Sequence, residues 1–71
     1  MIFIFKTTVH TFTEAAHLEP LLQEIISPTG SWNFDLEDCD RILKINGPAG
    51  TQQKVIHLLN GHGFVCEELA D

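Results

Sequence analysis

The sequence predicts an α+β fold in the order βαββαβ, a four-stranded antiparallel sheet with two helices on one of its faces. Three observations carry that expectation. Apolar residues recur at helical spacing in two stretches, Glu14 to Ile26 and about Thr51 to Asn60. β-branched and aromatic residues fill four others, two of them alternating with polar residues. Glycine, proline and aspartate separate the stretches where the chain must turn.

Ile2 to Val9 is a β-branched and aromatic run without turn residues, which suits a buried first strand. Leu18, Leu21, Leu22 and Ile25 form the apolar stripe of the first helix. Thr13 is its expected N-cap, and Glu14 stands favourably near the positive end of the helix dipole. Pro20 is out of place in such a helix, so either the first turn is loose and the regular part starts near Glu19, or the helix kinks. After the loop Ser27-Pro28-Thr29-Gly30, Trp32, Phe34 and Leu36 alternate with Asn33, Asp35 and Glu37 as in a half-buried strand. Asp38-Cys39-Asp40 turns the chain, and Leu43 and Ile45 continue the inward face on the returning strand. Val55, Leu58 and Leu59 face one side of the second helix, which Gly61-His62-Gly63 stops, and Phe64 to Leu69 is the last strand. Right-handed crossovers close this order into a ferredoxin-like sandwich. The loop after the first strand and the loop before the last then share one end of the sheet, and the hairpin tip around Cys39 is expected at the opposite end.

At 71 residues, 44% of them hydrophobic, the chain holds one two-layer core, a single domain over residues 1–71. The apolar run Met1 to Phe5 is too short for a membrane span or the core of a signal peptide, so a cytoplasmic protein without a membrane partner is expected. Four Lys and Arg against ten Asp and Glu give a net charge of −6, with no basic cluster to follow a phosphate backbone, which argues against nucleic acid. No Ser-His-Asp or Cys-His set that this fold would assemble is present, nor a phosphate-cradling glycine loop, so an enzyme is not expected.

The segments Phe5-Lys6-Thr7-Thr8-Val9, Leu18-Glu19-Pro20-Leu21-Leu22, Trp32-Asn33-Phe34-Asp35-Leu36 and Gly63-Phe64 make the chain resemble the short heavy-metal-associated domains of bacteria, over nearly its whole length. Members of that family, many of them copper or other metal chaperones, carry a Cys-x-x-Cys pair between the first strand and the first helix. By register from Lys6 and Pro20 the matching positions here are Thr11 and Glu14. A Cu(I) site needs two soft, ionisable sulfurs, and a hydroxyl with a hard carboxylate supplies neither. The resemblance therefore implies a degenerate domain that lacks the thiolate site of the metal chaperones.

Cys39, flanked by Asp38 and Asp40, and Cys66, in the last strand, are too far apart in this fold to replace the pair or to form a disulfide. The histidines leave two readings open. His10 and His62 stand in the two converging loops, and with Glu14 they compose a two-His, one-carboxylate set for weak binding of Zn or another divalent ion. As ordinary loop residues they bind nothing, and no cofactor is then expected. His17 and His57 fall on outer helix faces. The alternative to metal handling is a metal-free interaction or regulatory module. Phe3, Phe5 and Val9 are the expected core set of the first strand, which leaves Ile2, Ile4 and Ile42, with Val65, on the uncovered side of the sheet as a surface for a protein partner or a homodimer. The opposing reading is that the stems of Lys6, Lys44 and Glu67 cover that patch and keep the domain monomeric.

Overall fold

The computed structural model describes residues 1–26, 30–37 and 40–69. Its elements are β1 (Ile2–Thr7), α1 (Phe12–Ile26), β2 (Ser31–Asp35), β3 (Ile42–Asn46), α2 (Thr51–Gly61) and β4 (Cys66–Glu68). The sheet is antiparallel throughout with strand order β2-β3-β1-β4, which is the ferredoxin-like arrangement. The expected turn at Asp38 and Cys39, the loop residues Ser27 to Thr29 and the tail from Ala70 lie outside the described residues.

Alternation along β1 sends Phe3, Phe5 and Thr7 inward, and Val9 follows them into the core. Phe3 pairs with Ile45, and Ile45 with Trp32; Phe5 pairs with Leu43, and Leu43 with Phe34. Two apolar rows thus cross three strands and meet the helices. From α1 come Ala15, Leu18, Leu22 and Ile26, and from α2 Val55 and Leu59, all buried. Removing a Leu or Phe of this set from water is worth about 1.5–3 kcal/mol. The stripe of α1 is turned slightly from the expected one: Leu21 and Ile25 are only half-buried, while Ala15 and Ile26 lie within.

Pro20 does not end the helix: α1 is continuous from Phe12 to Ile26 and no loose first turn precedes Glu19. Ala16, whose carbonyl loses its helical donor to the proline ring, is exposed, and solvent access at that position lowers the cost of the missing bond. Gly30 after α1 has no room for a side chain. A Cβ there would lie 2.5 Å from the Asn46 carbonyl oxygen and against Ile26.

Two ends differ from the sequence expectation for a shared reason. β1 stops at Thr7 rather than Val9, and β4 starts at Cys66 rather than Phe64. The Val65 amide donates to the Thr8 hydroxyl at 2.9 Å and the Phe64 amide to the Leu59 carbonyl at 2.9 Å, so neither amide enters the ladder. The Phe64 bond belongs to a Schellman closure of α2. Gly63, at φ 86°, turns the chain in the left-handed region and donates to the Asn60 carbonyl at 3.2 Å.

The face away from the helices carries Ile2, Ile4 and Lys6 of β1 and Ile42, Lys44 and Asn46 of β3, with Ser31, Asn33 and Asp35 at the β2 edge. Lys44 stands opposite Ile4 and Lys6 opposite Ile42, so the isoleucines alternate with lysines and do not form one unbroken strip. Ile4 and Ile42 are half-buried, while Ile2 keeps 66% of its surface exposed.

Candidate functional site

The loop between β1 and α1 is built on Thr7. Its buried hydroxyl donates to the Arg41 carbonyl at 2.7 Å and accepts the Val9 amide at 3.2 Å, joining the start of β3 to the chain leaving β1. Arg41 holds a left-handed backbone, φ 51°, and its guanidinium donates to the Leu36 carbonyl. Among the described residues no buried side-chain polar atom is left without a partner. Lys6 and Asp40, 3.7 Å apart, add an exposed ion pair of little energetic weight. With Lys6 opposite Ile42, they bring the start of β3 to this end of the sheet, not to the opposite end expected for the hairpin, because β1 and β2 both run antiparallel to β3.

Thr11 and Glu14, the two positions singled out by the resemblance, bond to each other's backbone. The Glu14 amide donates to the Thr11 hydroxyl at 3.1 Å, and the Thr11 amide donates to Glu14 Oε1 at 3.1 Å. This is a capping box, in which a threonine and a glutamate three residues on satisfy each other's free amides. The His10 amide also donates to Glu14 Oε1, at 2.9 Å. The N-cap of α1 is therefore Thr11 and not Thr13, since only Thr11 has a glutamate at the reciprocal position. That His10 bond is the main reason the Glu14 carboxyl titrates below the ordinary glutamate range. The Thr11 amide and hydroxyl and the charge of the His10 ring act in the same direction, against an opposing effect of desolvation.

No protein-family model, curated protein or solved structure matches the chain. The fold hosts many unrelated functions, so a functional reading rests on the site itself.

The loops place His10 and Glu14 together but give His62 a different neighbour. Among the described residues no group of three or more His, Cys, Asp or Glu side chains is placed to hold a metal ion, so His10, Glu14 and His62 do not form a ready ligand set. His62 meets His17 of α1 instead, edge to face, with ring centroids 5.8 Å apart. His17 carried no functional expectation from sequence, because only the packing of α1 against α2 brings it there.

Cys66 is free and buried, and burial pushes its thiol up to about 12, which leaves it protonated and inert near neutrality. Phe12, in the first turn of α1, and Val65, before β4, expose 77% and 61% of their surfaces at the loop end. At the opposite end of the open face, Ile2, Ser31, Trp32, Asn33, Lys44 and Asn46 line a shallow groove of about 210 Å³. No helix among the described residues is long and apolar enough to cross a membrane.

Proposed function

We propose that this chain is a degenerate heavy-metal-associated-like domain, non-catalytic and without soft-metal carriage, that serves as a protein-contact module through the uncovered face of its sheet. One observation carries the reading. Thr11 and Glu14, where the resembling family keeps its thiolates, are bonded into a capping box that closes the loop on itself. Hard oxygens already accepting backbone amides make a poor Cu(I) site. A divalent ion on His10, Glu14 and His62 would have to draw Glu14 out of the box, so such binding is weak at most. The buried free thiol of Cys66 fits a reducing, cytoplasmic setting.

The test is competition for Cu(I). Against a strong Cu(I) chelator the native chain is expected to retain none, and the double change Thr11→Cys, Glu14→Cys to acquire binding on the same scaffold. Retention of Cu(I) by the native chain overturns the proposal.

Support for the contact role comes from the open face, where Ile2, Ile4 and Ile42 lie on adjacent strands without a covering layer. A second copy of the chain is the first partner to test. Sedimentation is expected to show a concentration-dependent dimer that Ile4→Lys or the more exposed Ile2→Lys dissolves. A monomer at every concentration rules out the homodimer.

A further inference from the structure

We infer that His17 and His62 form a two-imidazole chelate for a borderline divalent ion such as Zn(II), clipping α1 to the end of α2. An ion bonded to one nitrogen of each ring at about 2.0–2.1 Å lies roughly 3 Å from each ring centre. Two imidazoles sharing one ion therefore have centroids roughly 5–6 Å apart, depending on the angle at the metal. The observed separation of 5.8 Å falls in that interval before any ion is present.

Both ligands are backed by fixed backbone. His17 is inside the continuous helix α1, next to buried Leu18. His62 is the C-cap of α2, held by its own amide on the Leu59 carbonyl at 3.1 Å and followed by the Gly63 and Phe64 bonds of the Schellman closure. Little backbone ordering is left to be lost on binding. Position also favours a cation, since the C-terminus of α2 carries the negative end of its helix dipole. Both residues are exposed, which gives an ion a direct path from solvent.

Ligand chemistry narrows the occupant. Two neutral imidazoles suit Zn, Ni and Cu(II) over Mg or Ca, which prefer oxygen. With no third His, Cys, Asp or Glu grouped there among the described residues, water completes the coordination sphere, and the site exchanges its ion rather than storing it. This site differs from the sequence-predicted set in using His17 in place of His10 and Glu14, and it leaves the capping box intact. It also stands independently of the sheet-face proposal, which sedimentation decides.

The experiment is a Zn(II) titration of the full chain followed by histidine-ring NMR, with thermal unfolding in parallel. His17 and His62 ring signals are expected to shift together and saturate at one ion per chain, with Tm rising with free Zn(II) and a chelator reversing both. His17→Gln and His62→Gln should each weaken binding at least tenfold, whereas His10→Gln should leave it unchanged. Three outcomes overturn the inference: no ring shifts at millimolar Zn(II), undiminished affinity in His17→Gln, or loss of binding in His10→Gln. Each variant replaces an exposed ring, and an amide spectrum unchanged away from the replaced residue confirms the fold.

Discussion

At the start of α1 the free amides are met by side chains, the Thr11 hydroxyl and the Glu14 carboxylate, whereas α2 starts behind Gly50, which has no side chain to offer. The Gly50 amide is satisfied from inside the helix, by Gln52 Oε1 at 3.0 Å, and the first helical residue, Thr51, is already buried. In α1 the first buried residue is Ala15, almost a full turn in. Packing therefore sets where α2 begins, and surface hydrogen bonding sets where α1 begins. The difference teaches that the residues capping α1 stand apart from the core, so a substitution at Thr11 or Glu14 should disturb the cap and leave the packing behind it intact.

Substitutions sharpen that contrast. The largest effect is expected for Leu59→Ala in α2, which empties a fully buried site and should cost about 2–5 kcal/mol in urea unfolding. Thr7→Val, just ahead of the α1 loop, keeps the shape but removes the acceptor of the Val9 amide and the donor to Arg41. An orphaned buried group of that kind costs about 1–3 kcal/mol, measurable by the same unfolding. Thr11→Ala should cost only about 1 kcal/mol, with faster hydrogen exchange at the Glu14 amide. A loss at Thr11 equal to that at Leu59 would break the contrast.

The smallest effect is pH-dependent. Because the folded-state value of the Glu14 carboxyl is lowered, its contribution is present above the ordinary glutamate range and is lost as pH falls through the lowered value. Native chain and Glu14→Gln should therefore differ in Tm near neutrality and converge in acid. A constant difference across that range would show that the carboxylate charge is not what holds the cap.

Fold order and strand phase were legible because the signals are local. Alternation at Trp32, Phe34, Leu43 and Ile45 needs no distant partner to be read. The start of α1 was written in the sequence as Thr11-x-x-Glu14, but Thr13, also a good capping residue, stands closer to the apolar stripe and competes with that reading. The true extent of β4 was not legible, since it depends on the Thr8 hydroxyl and the Leu59 carbonyl capturing amides from remote segments. The same holds for His17 and His62, which no linear spacing relates and only the helix packing joins. At Thr11 and Glu14 the sequence singled out the positions, and geometry supplied what they bond to.

The central place of β1 has a consequence for synthesis. Its two neighbours in the sheet, β3 and β4, are both made after it, and the Leu69 amide that bonds the Ile4 carbonyl comes later still than the Thr8 to Val65 bonds. A ribosome adding about 5–20 residues per second leaves the segment Ile2-Phe3-Ile4-Phe5 without a strand partner for a few seconds after its translation. No sheet can form from the first half of the chain alone. Within this domain the pairing of Ile2-Phe3-Ile4-Phe5 therefore waits on β3 and β4, the strands that return to either side of it.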